Sequence, residues 1–217
     1  MKVAIEARAL NSNTTAGVKT YATELIRSLR EIGGVEYEII QDNPPAWKLL
    51  WWMNVTLPRK LRKIRPDVVH YTKSAMPFDF AQGKPTVVTI HDIIPVFFPG
   101  SQAFLQRIFW PGELKRAARQ SDHVITVSEA SKRDIVEQFQ VSPEKITVTP
   151  EAVDLQHFKP NSEPGSEPRY ILFVGTRDIR KNVPLLIRAF ARIAEDIPHQ
   201  LVIAGRAALK LHDDRKQ

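Results

Sequence analysis

The chain has 217 residues, of which 43% are hydrophobic and 25% charged, a composition typical of soluble globular proteins. It contains no cysteine, which excludes disulfides, thiolate metal sites and a cysteine nucleophile. The formal charge of +7 favours anionic partners such as a nucleotide diphosphate or a phospholipid surface. Nucleic acid is not expected, because the basic residues are spread along the chain without a nucleic-acid-binding signature.

The first ten residues, MKVAIEARAL, are predicted to form a buried strand. Their single lysine and short apolar run do not fit a secretory signal. No stretch reaches the roughly 18 uninterrupted apolar residues that a bilayer-spanning helix needs. The sequence therefore predicts a cytoplasmic protein, with peripheral contact at the inner face of a membrane left open.

Short apolar strands alternate with helical patterns over residues 1–155, and several strands are apolar on both faces, as in a parallel sheet covered by helices on each side. The predicted strands are Val3–Ala7, Tyr37–Ile40, Asp67–Tyr71, Thr86–His91, His123–Val127 and Lys145–Val148. Apolar residues at helical spacing from Val18 to Leu29 predict a first helix. A second is predicted over Gln102–Arg119, with a kink or break at Pro111, and a third after the N-cap Ser128. The pattern predicts a doubly wound, Rossmann-like α/β domain.

Residues 156–169 contain three prolines, a glycine and many polar residues, which is typical of an interdomain linker. After it, residues 170–217 restart the strand–helix–strand rhythm, with a strand at YILFV, a helix around Pro184–Ala194 and a strand at Gln200–Ala204. One such unit cannot bury both faces of its sheet. We therefore expect residues 170–217 to be the truncated start of a second Rossmann-like domain.

Four segments carry a family resemblance. They are AGVKTYATELIRSL after the first strand, TVVTIHDIIPVFFP, VITVSEASKRDIVEQF with the following EKITVTPEAVDLQHFKP, and YILFVGTRDIRKNVPLLIRAFARI. In this order and spacing they resemble glycosyltransferase family 4, a group of retaining sugar transferases with the GT-B fold. The resemblance implies an acceptor-side domain over residues 1–155 and a nucleotide-sugar-binding domain from residue 170.

The same resemblance implies a hexosyltransferase, such as a mannosyltransferase, that uses a nucleotide-diphosphate sugar and needs no metal or other cofactor. The acceptor would be a carbohydrate or a lipid-linked glycan, in the synthesis of cell-surface polysaccharide or glycolipid. The family's paired glutamates and its glycine-rich donor loop would lie beyond Gln217. A competing hypothesis is therefore a catalytically inactive fragment that acts only as an acceptor-binding or membrane-binding module.

His91 and Asp92 end a central predicted strand, at the edge where open α/β sheets bind ligands. The matching histidine of the family faces the transferred sugar and the acceptor hydroxyl, and a histidine can donate or accept a hydrogen bond there. We therefore expect His91 and Asp92 to be catalytic. The alternative is a histidine that only satisfies backbone groups at the end of a strand.

Five further residues are candidates for binding the donor. Gly17 would let a donor diphosphate approach backbone N–H groups at a helix start, or it is an ordinary helix-start glycine. Gly175, Arg177, Arg180 and Lys181 follow YILFV, and the resemblance implies that the three cations among them stabilise the departing diphosphate. The alternative is a solvated basic turn.

Two positions depart from the family pattern. Thr176 stands where the family has an arginine, with Arg177 next to it. Glu151 and Ala152 stand where relatives often have an asparagine–glycine pair.

Residues 47–65 combine three tryptophans with several lysines and arginines. Tryptophan beside basic residues suits an anionic membrane interface. The alternative is an amphipathic surface helix whose tryptophans pack on the sheet or line the acceptor groove. Pro58 is expected to break this stretch into short pieces.

Overall fold

A computed structural model describes residues 1–11, 16–74, 76–78, 83–98, 104–159, 169–177 and 179–205. The chain divides into two compact units, the first made of residues 1–97 and 104–152, the second of residues 98–103 and 153–217. Most of the predicted linker, residues 160–168, lies outside the described residues.

The first unit contains a six-stranded sheet in the order β2-β1-β3-β4-β5-β6, and every pair of neighbouring strands is parallel. Its strands are β1 (Lys2–Glu6), β2 (Glu36–Ile40), β3 (Val68–Tyr71), β4 (Thr86–Thr89), β5 (His123–Thr126) and β6 (Ile146–Val148). All six predicted strands are confirmed to within two residues at each end.

The strand order reverses between β1 and β3, because the chain passes from β1 to β2 on one side and then crosses to β3 on the other. At such a switch point the connections leave the sheet in opposite directions, which opens a crevice at the carboxyl ends of the strands. The residues that follow β1, β3 and β4 therefore share one edge of the sheet.

Helices connect these strands. They are α1 (Ala16–Ile32), α2 (Leu49–Trp51), α3 (Leu57–Ile64), α4 (Ile94–Phe97), α5 (Phe104–Gln120) and α6 (Glu129–Phe139). The predicted N-cap of α6 is confirmed, since Ser128 Oγ accepts a hydrogen bond of 3.1 Å from the backbone N–H of Ser131. Helix α5 continues through Pro111, so the proline does not break it.

The prediction that Pro58 breaks the tryptophan-rich stretch is wrong. The chain is helical from Ala46 to Ile64, with a π-helical turn at Trp52–Thr56 directly before α3. There the N–H of Leu57 reaches back five residues to the carbonyl of Trp52. The wider turn gives the proline ring room, and Pro58 lies in the first turn of α3, where a missing N–H costs little.

Two apolar clusters lie on the sheet. Ala4 belongs to a large cluster with residues of α3, α5 and α6, whereas Ile5 packs with Ala22 and Ile26 of α1. Because successive side chains of a strand point to opposite faces, these clusters cover the two faces of β1. The predicted doubly wound architecture is thus confirmed.

The second unit has a parallel pair of strands, β7 (Tyr170–Val174) and β8 (Gln200–Ala204), with α7 (Val183–Ala191) between them in the chain. Several of its apolar side chains are exposed, among them Leu172, Val174 and Leu185. This agrees with the expectation that one strand–helix–strand unit cannot bury both faces of its sheet.

Candidate functional site

His91 lies just beyond β4, and its imidazole is held from three sides. Its Nε2 is 3.3 Å from the carbonyl oxygen of Thr72, after β3, and its Nδ1 is 3.7 Å from Oε1 of Glu151, after β6. The ring of Tyr21, on α1, meets it edge-on at a centroid distance of 4.6 Å. The side chain remains 19% exposed, so part of the imidazole is accessible at the carboxyl edge of the sheet.

The backbone on which His91 sits is fastened to the neighbouring strand and helix. Ser131 Oγ, in the first turn of α6, donates a hydrogen bond of 3.1 Å to the carbonyl of His91. Thr126 Oγ1, at the end of β5, donates one of 2.8 Å to the carbonyl of Ile90. These hydrogen bonds fix the position of the backbone after β4, and the backbone position in turn limits the orientation of the imidazole.

A buried hydrogen-bonded group lies next to His91. Thr89 Oγ1 is 3.1 Å from the hydroxyl of Tyr21 and 2.9 Å from Nε2 of His70. Burial raises the pKa of Tyr21; the hydrogen bond with Thr89 opposes this rise, and the charge of Glu151 adds to it. Burial lowers the pKa of His70 to about 4, so this histidine is neutral at neutral pH. Tyr21 and His70 thus support the site as uncharged groups.

Asp92, the second residue predicted to be catalytic, is exposed, and its carboxylate is engaged locally. Its Oδ1 accepts a hydrogen bond of 3.0 Å from the backbone N–H of Ile94, the first residue of α4. A carboxylate that accepts from the N–H two residues further on forms an Asx-turn. The geometry gives Asp92 a structural contact, and its catalytic role stays a prediction.

Gly17 lies in the first turn of α1, one turn before Tyr21, so the helix that carries this glycine also contacts His91. A Cβ added at Gly17 would meet no atom within 4 Å among the described residues. The packing of the described residues therefore does not itself require a glycine. The preceding residues 12–15 lie outside the described part of the chain. The donor contact stays a prediction.

A second polar cluster, with no member among the predicted site residues, lies at the switch point. Glu6 ends β1, and its Oε1 accepts hydrogen bonds from the backbone N–H of Arg8 at 3.0 Å and from Arg8 Nε at 2.6 Å. The guanidinium of Arg8 lies over the ring of Trp52, 5.3 Å from its centroid. Lys73, two residues beyond β3, has its pKa lowered by burial and by the charge of Arg8, while Glu6 acts in the opposite direction.

The sequence did contain a signal for this cluster. A Glu-x-Arg sequence begins at the last residue of the first strand, and a lysine follows the third strand at the same edge. Charged side chains at the ends of neighbouring parallel strands meet in the fold. The strand order decides which ends are neighbours, and the sequence pattern does not give that order.

The four candidate donor-binding residues of the second unit lie around the end of β7 and the start of α7. Gly175 follows β7 and donates its N–H to the carbonyl of Ala204 at 2.9 Å. Arg180 and Lys181 belong to a 3₁₀ turn that ends just before α7, and Lys181 and Arg177 are exposed. Cations next to a helix N-terminus suit a phosphate group. The structure brings Arg180 and Lys181 together, and their role stays a prediction.

The tryptophans of residues 47–65 divide into two environments. Trp52 is 5% exposed and packs in the large cluster, whereas Trp47, Leu50 and Trp51 are exposed by 78%, 72% and 58%. These three follow the i, i+3, i+4 spacing of one helix face. Lys48 Nζ lies 4.6 Å from the centroid of the Trp47 ring. The expectation that the tryptophans pack inward is therefore right for Trp52 alone.

Neither a metal centre nor a membrane span is present in the described ranges. No group of three or more histidine, cysteine, aspartate or glutamate residues is arranged to hold a metal ion there. No helix in those ranges is both long and apolar enough to cross a membrane.

Residues 21–157 match the model of Glycosyltransferase Family 4. The chain is 30% identical, over 119 residues, to the O-antigen chain mannosyltransferase RfbU of Salmonella typhimurium, a match that covers 55% of this chain and 32% of that protein. It is 36% identical, over 92 residues, to the N-acetylgalactosamine-N,N'-diacetylbacillosaminyl-diphospho-undecaprenol 4-alpha-N-acetylgalactosaminyltransferase of Campylobacter jejuni, covering 42% of this chain and 25% of that protein. The matches thus span about a third or less of the length of these curated relatives.

Two solved structures share the fold. The Anabaena protein HepE, in complex with UDP and glucose, has a TM-score of 0.61 at 14% identity, covering 96% of this chain and 62% of that one. The lipopolysaccharide outer core galactosyltransferase WaaB has a TM-score of 0.51 at 15% identity, covering 94% and 60%. The fold is therefore that of the GT-B glycosyltransferases, as expected.

Proposed function

We propose, since the chain belongs to Glycosyltransferase Family 4, that its protein transfers a hexose from a nucleotide-diphosphate sugar to a hydroxyl of a carbohydrate or lipid-linked acceptor. The anomeric configuration would be retained, without a metal ion. The observation that carries this proposal is His91, a partly exposed imidazole fixed at the carboxyl edge of a doubly wound sheet by Thr72, Tyr21 and Glu151. This is the edge where such sheets bind their ligands.

In this proposal His91 contacts the transferred sugar and the acceptor hydroxyl. An imidazole can donate or accept a hydrogen bond, so it can orient the hydroxyl toward the anomeric carbon. Its own position is set by a ring contact with Tyr21 and by the fastening of its backbone to Ser131. Because the imidazole is already held in position, no free energy is needed to reorient it when the reaction takes place.

The donor diphosphate would be bound by residues of the second unit. Arg180 and Lys181 lie directly before the N-terminus of α7, so their charges and the helix dipole would favour the same phosphates. Charge that develops on the departing diphosphate would be stabilised there. Gly17 and Gly175 would allow the donor to approach the backbone.

The names of the relatives favour an acceptor of the cell surface. One acts on the O-antigen chain and the other on a diphospho-undecaprenol glycan. We therefore infer that the reaction belongs to the synthesis of a surface polysaccharide or a glycolipid.

Contact with an anionic membrane is part of this proposal. The face formed by Trp47, Leu50 and Trp51 exposes apolar rings beside Lys48, and the helical segment continues into the basic α3. Tryptophan and basic side chains together suit the interface of an anionic bilayer. An enzyme that modifies a lipid-linked glycan would gain from being held there.

The transfer reaction can be tested in the organism that encodes the chain. Deletion of the gene is expected to shorten or remove one surface polysaccharide or glycolipid, as seen by gel electrophoresis and mass spectrometry of the glycans. The wild-type gene should restore it, and a gene with His91→Ala should not, although its product accumulates to the same level. An unchanged glycan profile after deletion contradicts the proposal.

The membrane contact can be tested with the purified chain. Liposomes with anionic lipid should co-sediment with it at low salt, and added salt should release it. The double variant Trp47→Ala/Trp51→Ala should lose binding. Trp110→Ala, which removes another partly exposed tryptophan, on α5, is the matched control and should keep it. Equal binding by both variants would argue against this surface.

A further inference from the structure

The two ring nitrogens of His91 have different partners. Nε2 forms a long hydrogen bond of 3.3 Å with the carbonyl oxygen of Thr72. A backbone carbonyl can only accept, so in a neutral imidazole this contact requires the proton to be on Nε2. Nδ1 then carries the lone pair of the ring, and it is the nitrogen that can accept a hydrogen bond.

The carboxylate of Glu151 is a second acceptor beside Nδ1. Glu151 Oε1 lies 3.7 Å from Nδ1, which is too far for a hydrogen bond between these two atoms. The side chain of Glu151 is 55% exposed. In the part of the chain that the structure describes, no hydrogen bond to this carboxylate is formed. Two acceptors, one neutral and one charged, therefore lie side by side at the carboxyl edge of the sheet.

The other polar groups around His91 are already engaged. The hydroxyl of Tyr21 is 3.1 Å from Thr89 Oγ1, and the ring of Tyr21 meets the imidazole edge-on. Asp92 Oδ1 accepts the backbone N–H of Ile94. Among the described residues, none donates to Nδ1 or to Glu151, so their hydrogen-bond donors have to come from a ligand or from water.

We propose that Nδ1 of His91 and the carboxylate of Glu151 bind two neighbouring hydroxyls of one sugar, and that this sugar is the acceptor. Each hydroxyl has one O–H to donate, so each acceptor atom takes one hydroxyl. The reacting hydroxyl donates to Nδ1, and the hydroxyl next to it donates to Glu151.

The assignment to the acceptor rests on the proposed function, in which His91 orients the reacting hydroxyl. His91 and Glu151 both belong to the first unit, whereas Arg180 and Lys181, the proposed contacts of the donor diphosphate, belong to the second. A hydrogen bond to a carboxylate is stronger than one to a neutral group. Glu151 therefore selects acceptors that carry a hydroxyl beside the reacting one, since an analogue without it leaves the carboxylate unpaired.

The position of the ring proton can be measured directly. In the isotope-labelled, purified chain, proton–nitrogen correlation spectra distinguish a protonated from an unprotonated ring nitrogen. The spectra are recorded at about pH 8, above the ordinary pKa of a histidine, and His91→Gln identifies the His91 signals. A proton on Nε2 and none on Nδ1 is expected. A proton on Nδ1, alone or together with one on Nε2, would overturn the proposal.

The sugar contact is tested with methyl α-D-mannopyranoside, which offers both a cis and a trans pair of neighbouring hydroxyls. The matched control is the same glycoside with every hydroxyl O-methylated, because it keeps the ring and has no O–H donor. The mannoside should shift the Nδ1 signal of His91 and leave the ring signals of His123, at the opposite edge of the sheet, unchanged. If both glycosides shift Nδ1 equally, or neither shifts it, the proposal fails.

UDP-glucose and GDP-mannose separate an acceptor sugar from a donor sugar. Neither should abolish the shift of Nδ1 that the mannoside causes, because the sugar of the donor occupies a different position. If either nucleotide sugar abolishes that shift, the sugar at Nδ1 is the donor's, and the assignment to the acceptor is overturned.

Two variants locate the second hydroxyl. Glu151→Ala should weaken mannoside binding, followed by the Nδ1 shift, by about tenfold. Its ring proton should stay on Nε2, because the carbonyl of Thr72 is unchanged. Glu144→Ala removes an exposed carboxylate from the turn before β6 and should bind the mannoside as the wild type does. Equal affinity of the two variants would overturn the role of Glu151.

None of these measurements depends on transfer. Failure of the sugar contact is therefore distinct from failure of the proposed function, which an unchanged glycan profile after gene deletion would show.

Discussion

The ring of Tyr21 meets the imidazole of His91 edge-on, with the ring centroids 4.6 Å apart and the ring planes at 89°. Tyr21 lies on α1 and His91 follows β4, so this contact joins two parts of the chain that are 70 residues apart. An aromatic pair in this geometry contributes about 1 kcal/mol beyond the area that it buries. The helix that begins beside Gly17 thereby helps to hold the imidazole.

Replacement of Tyr21 should separate the ring contact from the hydroxyl contact. Tyr21→Phe keeps the ring and loses only the hydrogen bond to Thr89, so the free energy of unfolding should fall by about 1 kcal/mol. Tyr21→Ala also leaves a cavity beside His91 and should cost about 2 kcal/mol or more. Urea denaturation measures both. The NMR shifts of the His91 ring protons should stay near the wild-type values in Tyr21→Phe and change in Tyr21→Ala.

The charge of Glu151 should be detectable at Tyr21. Burial raises the pKa of Tyr21 most, and Glu151 adds to that rise. Glu151→Gln should therefore lower the pKa of the Tyr21 phenol, measured by NMR titration of labelled tyrosine. Glu144→Gln removes an exposed carboxylate from the turn before β6 and should leave the Tyr21 titration unchanged. If Glu151→Gln leaves the pKa of Tyr21 unchanged, the carboxylate of Glu151 does not lie near Tyr21 and His91.

His70 should make the stability of the first unit depend on pH. Its pKa is lowered by burial from 6.5 to about 4 in the folded protein. Between these values the unfolded chain binds a proton that the folded chain does not, so stability falls as the pH drops below about 6.5. Acidification from about pH 7.5 to about pH 5 should therefore lower the free energy of unfolding by about 2 kcal/mol through His70 alone.

The contribution of His70 is isolated by a comparison of two proteins. The wild type and His70→Gln are unfolded in urea at both pH values, and the wild type should lose more stability on acidification. Glutamine does not titrate and can still form a hydrogen bond with Thr89. Equal losses in the two proteins would contradict the assignment of a neutral buried His70.

The close approach of Gly175 and Gly205 should make the second unit sensitive to a single methyl group. Gly205 follows β8 with a φ of +143°, and a Cβ there would overlap the carbonyl oxygen of Gly175. Gly205→Ala should therefore destabilise the β7–β8 pair by about 2 kcal/mol and speed hydrogen exchange in Tyr170–Val174. Gly112→Ala, in open space on α5, is the control and should be neutral or stabilising.

Local patterns predicted most of the secondary structure because their causes are local. Short apolar runs located all six strands of the first unit, and the Ser128 cap located the start of α6. The continuity of the helix through Pro58 was missed, because a π-helical turn that makes room for a proline leaves no signature in the residue types. Glu151 was noted only as a departure from the family pattern.

The sequence by itself determined the fold class, the edge of the sheet that carries His91, and the family resemblance, which the family match over residues 21–157 bears out. Strand periodicity and short motifs depend on neighbouring residues, so they can be read along the chain. Only the tertiary structure decided that Tyr21, Thr72 and Glu151 surround His91, and that Arg8 pairs with Glu6 and lies over Trp52. Those contacts depend on the order of the strands in the sheet, which is set by packing between distant segments.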